Sequence, residues 1–335
     1  MFTTQSQFHK PAATEQTHAQ IVDVSNWSIG DLTPYSEGAR DKALLESPRG
    51  LSSALLGLYF PFIIPNHKYL LKRTYAESTG TILYEQFWNE IIAYKLGRVL
   101  GVAVPPAFVA HYQRAGGEPF YGSLIEWFYD YGTNDESLRG GHIITRYIQG
   151  YDTKKGEMHN FQTLEQIFTT EQVENWLHDL TKILLFDAII GNTDRHQDNW
   201  QIINYSLEQK RLLSPAFDNG TSMGYKIRND HLDGWLNKLP KLAKNGYHHM
   251  KWQIDDAAQA NHFELLQLLI AKHPESKAMM QEVLAHDISP VFEQIAALTE
   301  YDLQDARYKL SKQRADFIIK FLQFRYNHAR ELLKT

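Results

Sequence analysis

The strongest constraint on this 335-residue chain is a change of pattern near its middle. Before residue 150, short apolar or aromatic runs at 43–45, 57–64, 69–73, 107–112, 121–128 and 142–148 alternate with Pro, Gly and Asn, the punctuation of strands and hairpins. One helical stretch interrupts them at 82–100, where Phe87, Ile91 and Tyr94 recur at spacings of three and four. Gly101 stops that helix, and Pro105 and Pro106 keep it from resuming. Residues 129–141, rich in Asp, Gly, Asn and Ser, read as a loop. After Gly150 helices dominate, at 170–190 (closed by Gly191), 262–272, 276–285 and 303–334, with short strand pieces at 200–203 and 212–213. Strands and then helices, without alternation, predict an α+β fold. The expected plan is bilobal: a mobile tail over 1–25, a β-rich N-lobe with one helix over 26–149, and a helical C-lobe over 150–335. A cleft between two such lobes is where a ligand sits.

Composition narrows the function classes. Lys and Arg number 34 against 39 Asp and Glu, a net charge of −5, so direct nucleic-acid binding is not expected. The chain has no cysteine, which excludes disulfide scaffolds and thiolate metal centres. Its longest uncharged stretch, 50–66, is too short to span a bilayer and contains Pro61 and Pro65. The first 20 residues lack the apolar core of a signal peptide. The expectation is a cytoplasmic protein, with specialised export left open.

The segment from Gly191 to Trp200 carries the most chemistry. Asp194 and Asn199 stand five apart among polar residues just after an apolar helix, and Asp218-Asn219-Gly220 follows a short hairpin. Phosphoryl transfer uses this arrangement: an Asp to orient the attacking hydroxyl, an Asn five residues on and a second Asp before Gly to hold Mg²⁺. Either piece alone would pass for a polar turn; both together, in this order, favour the catalytic reading. Upstream, Lys72 lies in a strand-like run whose alternation can aim it into the cleft, and Glu90 on the following helix could orient it. Arg73 would take the place of Lys72 if the register slipped by one. Gly38, Ala39, Arg40 and Lys42 precede the first strand, where backbone N–H groups could approach phosphate.

These segments resemble the HipA-like kinases, bacterial Ser/Thr kinases of atypical fold distantly related to phosphoinositide kinases. The resemblance rests on GARDKALL (38–45), NEIIAYKLGRVLGVAVPPA (89–107), IITRYI (143–148), LLFDAIIGNTDRHQDNW (184–200) and LSPAFDNG (213–220). It implies Asp194 as catalytic aspartate, Asn199 and Asp218 as Mg²⁺ ligands, and Lys72 as the lysine that contacts the phosphates of ATP. It also implies Glu90 as the helix partner of Lys72 and 38–42 as the phosphate loop. His196, two after Asp194, stands where a side chain could reach the γ-phosphate; a structural histidine bonded to backbone is the equal alternative. Asn219 replaces the residue usual after the metal aspartate. The size and the DRH…NW variant look closest to short members, including translocated kinases of pathogenic bacteria. The implied activity is ATP- and Mg²⁺-dependent phosphorylation of a protein Ser/Thr. A phosphoinositide kinase, an adenylate transferase and a nucleotide-binding scaffold without turnover are the alternatives. Ser36 and Ser47 flank the first strand and read as ordinary turn serines.

Two basic clusters complete the reading. Between Arg307 and Lys334 eight cations face only Asp316 and Glu331, and Arg307, Arg314 and Arg325 fall together among apolar positions of the expected helix. There they require carboxylates or a bound phosphate. Lys238, Lys241, Lys244 and Lys251 form a second cluster. An inositol phosphate or phosphoinositide surface is one partner for such clusters; a solvated face with internal ion pairs is the commoner outcome.

Overall fold

The computed structural model describes residues 15–30, 42–49, 58–77, 79–114 and 116–334. Its strands are β1 (Val22–Asp23), β2 (Ser28–Ile29), β3 (Lys42–Glu46), β4 (Lys68–Lys72), β5 (Tyr75–Ala76), β6 (Ile82–Leu83), β7 (Ala107–Tyr112), β8 (Phe120–Glu126), β9 (Glu136–Arg139), β10 (Gln201–Tyr205) and β11 (Lys210–Leu213). The α-helices are α1 (Trp88–Leu100), α2 (Gly140–Ile144), α3 (Phe161–Thr170), α4 (Trp176–Ile190), α5 (Leu232–Leu236), α6 (Leu239–Lys244), α7 (His262–Lys272), α8 (Glu275–Leu284), α9 (Ser289–Ala297) and α10 (Lys312–Leu332). The result is the expected mixture of a β-rich part and a helical part.

A six-stranded sheet, in the order β1-β7-β8-β4-β3-β2, forms the first part. β1 runs parallel to β7, and the other pairs are antiparallel. Every residue of β8 is buried, because it lies between two neighbours with side chains packed on both faces. α1 closes at Gly101, which adopts a left-handed φ of 64° and returns its N–H to the Gly97 carbonyl. A second sheet, β11-β10-β9, carries the strand that follows Asn199. In the helical part α4 is the central rod. From Leu180 to Ile190 every residue is buried, and α7, α8 and α10 pack against it. No helix among the described residues is long and apolar enough to cross a membrane.

Several expectations are corrected. No strand forms at 58–64: the Ile63 N–H donates to the Phe60 carbonyl in a turn. Pro61 and Pro65 cannot serve a ladder, and Phe62 instead packs on Phe108 with ring centroids 4.7 Å apart. The strand expected at 142–148 is the helix α2 followed by turns, since Ile143, Ile144 and Ile148 meet the core from helical spacing. Conversely, the loop expected at 129–141 contains β9, a polar strand that exists because β10 pairs with it over Glu136–Arg139. The helix expected over 170–190 begins only at Trp176, because Gln172 and Asn175 both take positive φ, and α3 precedes it as a helix the sequence reading did not expect. The last helix starts at Lys312, capped by the Ser311 hydroxyl, not at 303. Part of the expected mobile tail is anchored: Glu15 pairs with Arg98, the Gln16 side chain bonds both the N–H and the carbonyl of Val109, and β1 joins the sheet.

Gly97 shows how tightly α1 is seated. A Cβ there would stand 2.5 Å from Val104 Cγ2 and 3.0 Å from the Val102 carbonyl. Gly97→Ala is therefore expected to cost about 1–3 kcal/mol by overpacking, despite alanine's better helix propensity. Thermal or denaturant unfolding checks it.

Candidate active site

Lys72 ends β4 on the same sheet face as Lys42, its direct cross-strand partner. Both Lys72 and Glu90 are buried, and Lys72 Nζ lies 3.0 Å from Glu90 Oε1 and 3.0 Å from Asp218 Oδ1. The register thus settles the choice between Lys72 and Arg73: the Arg73 guanidinium stacks 4.2 Å from the Phe120 ring instead. Glu90 uses its other oxygen to accept the Asn219 N–H at 3.0 Å. The strand lysine, the helix glutamate and the Asp218 loop are therefore one connected unit.

The Asp194 loop is held from below by an ion pair absent from the sequence expectations. Arg195 Nε and Nη2 donate to Asp187 Oδ2 at 2.9 Å and Oδ1 at 2.7 Å. Asp187 projects from the buried end of α4, with no exposed surface, and also meets His248 Nε2 at 3.3 Å and Asn192 Nδ2 at 3.2 Å. Burial alone would push the Asp187 carboxyl up, but the Arg195 guanidinium and His248 hold it far below the usual carboxylate range. The same arginine crosses to the other loop, donating to the Phe217 carbonyl and, at 2.8 Å, to Asn219 Oδ1. Asn219 accepts from Arg195 through its side chain and donates to Glu90 through its backbone. It is the residue where the two loops and α1 meet.

The flanking geometry is equally specified. Asn199 Nδ2 donates to the Asp194 carbonyl at 2.5 Å, which leaves Oδ1 as the amide atom available to a cation. Asp218 is 31% exposed and adopts φ 58°, a conformation a non-glycine residue keeps only where its surroundings demand it. His196 Nδ1 accepts the Asp198 N–H at 3.1 Å, and its ring lies 5.8 Å from that of His249. It braces its own loop through a backbone N–H. Lys42 opens β3; Gly38, Ala39 and Arg40 lie outside the described residues, as does Ser36. Ser47 is buried, its hydroxyl donating to the Ile64 carbonyl at 2.6 Å and accepting the His67 N–H.

Beside these polar groups is an apolar cluster that the sequence reading did not single out. Leu44, Trp127, Phe128, Tyr129, Ile203 and Tyr205 pack together, with Phe217 against them, where the ends of β3 and β8 face β10. Its signal in sequence was only an aromatic run, Trp127-Phe128-Tyr129, next to a strand end. A cavity of about 300 Å³ lies elsewhere, lined by Ala43, Leu71, Tyr112 and Phe120 from the sheet face opposite Lys72.

A sequence model of the family described as the HipA-like C-terminal domain matches residues 35–289. No curated protein matches the chain. Among solved structures, the fold is similar to that of the Helicobacter pylori proinflammatory kinase CtkA, with a TM-score of 0.67 at 15% identity over 93% of this chain and 98% of that one. A Golgi casein kinase (TM-score 0.40, 14% identity, 94% and 72% of the two chains) aligns too loosely to bear on the site. So does the HipA–HipB toxin–antitoxin complex of Shewanella oneidensis (0.42, 12%, 92% and 70%).

Two stability outcomes follow from the buried polar groups. Arg195→Leu leaves the buried Asp187 without its guanidinium partner, and is expected to cost about 3–5 kcal/mol in denaturant unfolding. The second concerns pH. His262 donates from Nε2 to the Asn192 carbonyl at 2.6 Å, with Arg325 Nη2 near Nδ1, and burial pushes it down to about 3; burial also holds His159 well below its usual value. An unfolded histidine titrates near 6.5. Below that pH the unfolded chain takes up protons that these folded side chains refuse, so stability is full above about pH 6.5 and falls as pH drops towards 3. For His262 the loss between pH 7.5 and 5 is expected to reach about 2 kcal/mol. His262→Gln should flatten that slope.

Proposed function

The chain belongs to the HipA-like C-terminal domain family, and from that premise we propose that it is an ATP- and Mg²⁺-dependent kinase that phosphorylates Ser or Thr of a protein. The observation that carries the reading is Lys72, bonded at once to Glu90 and Asp218, with Arg195 and Asn219 tying that unit to the loop of Asp194 and Asn199. A lysine held between two carboxylates points at one place, which suits it to nucleotide phosphate oxygens. Asp194 is half-buried and would accept a hydrogen bond from the substrate hydroxyl and take its proton as the oxygen attacks. The leaving diphosphate would meet Lys72.

The site also fits the metal. Among the described residues no group of three or more His, Asp or Glu side chains could hold an ion by itself. Mg²⁺ in nucleotide enzymes takes one or two protein ligands and completes its octahedron with phosphate oxygens and water. Asn199 Oδ1 and Asp218 match that share. When bound, the ion would neutralise charge developing on the transferred phosphoryl group.

The proposal is tested with labelled ATP and a mixed protein acceptor. Asp194→Ala, Asp218→Ala and Lys72→Met are each expected to lower transfer by at least about 100-fold, with an ATP-dependent rise in melting temperature retained in Asp194→Ala. Equal incorporation by all four proteins would sink the assignment. Intact-mass analysis of the product separates phosphate from adenylate. Lipid acceptors run in parallel separate a phosphoinositide kinase.

A further inference from the structure

The basic cluster at the end of the chain divides in three dimensions: Lys312, Lys320 and Arg330 are exposed on α10, while its other arginines find partners. Arg307 lies outside α10 and pairs with Asp305. Arg314 is buried on the carbonyls of Gly224 and Ile227 and on Asn229 Oδ1. Arg325 donates to the Ala188 carbonyl at 2.5 Å and stacks on Phe263 and Phe321. Arg314 and Arg325 are internal braces, whereas Arg307 stays on the surface. The other cluster lies on the segment that follows Asp218.

That segment, residues 222–251, carries Lys226, Arg228, Lys238, Lys241, Lys244 and Lys251 against only Asp230 and Asp233, in a chain whose net charge is −5. Its two acids are already engaged: Asp230 with Arg228 at 3.4 Å, Asp233 with the Gln313 amide at 3.2 Å. Lys238, Lys241 and Lys244 are exposed, and among the described residues no carboxylate pairs with them or with Lys251. Lys238 is the N-cap of α6, and Lys241 and Lys244 follow at three-residue spacing on one side of it.

Both ends of the segment are tied to the proposed catalytic loop. At its start the Thr221 hydroxyl donates to Asn192 Oδ1 and the Met223 N–H to the Ile190 carbonyl. At its end His248 meets Asp187, the Gly246 carbonyl accepts the His262 N–H while the His262 ring donates to the Asn192 carbonyl, and the His249 ring lies against that of His196, two residues from Asp194. The lysines therefore ride on a strap that leaves the metal aspartate and returns beside the aspartate that would meet the acceptor hydroxyl. A membrane-binding helix would present an exposed apolar face. Here Leu239 and Ala243 are buried, and Tyr247 is the segment's one exposed large apolar side chain among the described residues.

We infer that this strap is the acceptor-docking surface and that it selects acidic peptide, a Ser or Thr flanked by Asp or Glu. The inference rests on the phosphoryl-transfer reading above for the meaning of acceptor, but peptide binding tests it independently. A labelled serine peptide flanked by glutamates, and its lysine-flanked counterpart, are titrated into wild type and into the triple variant Lys238→Glu, Lys241→Glu, Lys244→Glu. Both peptides are also offered as acceptors with ATP and Mg²⁺. The glutamate peptide is expected to bind wild type at least about tenfold tighter at low salt, with the margin shrinking as salt rises. The triple variant should reverse the preference while keeping its ATP-dependent melting shift. Lysine-dependent binding without transfer would keep the docking surface and remove the kinase reading. Transfer without acidic preference, or a preference that survives the charge reversal, would overturn the inference and leave the kinase reading intact. Phosphoinositide vesicles bound through the same lysines, with neither peptide preferred, would overturn it in favour of a lipid surface.

Discussion

The ion pair between Asp187 and Arg195 is the interaction on which the rest of the site depends. Two ions taken out of water are costly, and their mutual attraction offsets that cost only when the geometry is good and every remaining donor and acceptor is used. Both conditions hold. The contacts are bidentate, Asp187 also takes Asn192 and His248, and Arg195 spends its other N–H groups on Phe217, Asn199 and Asn219. Burial lowers the tendency of Arg195 to stay charged, yet its carboxylate partner holds it above its ordinary value. Such a pair adds little net stability but a strong directional preference. It allows one arrangement of the two loops and penalises the others.

From that pair, order spreads to the sheet. Asn219 transmits it to Glu90, and Glu90 to Lys72. Neighbouring contacts run the same way: Gln86 donates to the Gly220 carbonyl and Asn89 to the Ser222 carbonyl. The start of α1 is thus bonded to the segment 219–222 by side chains that are all buried. The β-rich and helical parts meet through a polar seam, not only an apolar one. Polar seams of this kind are less forgiving than oil-like contacts, because a displaced partner leaves an unsatisfied buried group behind. The local strain at Asp218 fits the same logic: surrounding bonds hold a backbone conformation it would not choose alone.

Much of this was legible in the chain before folding. Helix α1 with its stop at Gly101 and the close of α4 at Gly191 follow from local chemistry that any solvent-exposed peptide would share. The strands β3, β4, β7 and β8 followed from short apolar runs. The polar residues Lys72, Glu90, Asp194, Asn199 and Asp218 were visible through type, order and spacing. The misreadings share one cause. At 142–148 an apolar run was compatible with either period, at 136–139 a polar run became a strand only because β10 needed an edge partner, and 57–64 was apolar but proline-broken. In each case the deciding contact lay far along the chain.

The sequence alone therefore determined the class of fold and the inventory of reactive groups, because periodicity and turn chemistry act within a few residues. Only the tertiary structure decided which groups meet. Nothing in the spacing of Asp187, Arg195 and Asn219 announces that they converge, and Arg314 and Arg325 look like surface cations until their carbonyl partners are seen. A buried charge takes whichever partners the packing of distant elements brings within 3 Å. That convergence separates the arginines that brace the interior from the lysines that face solvent.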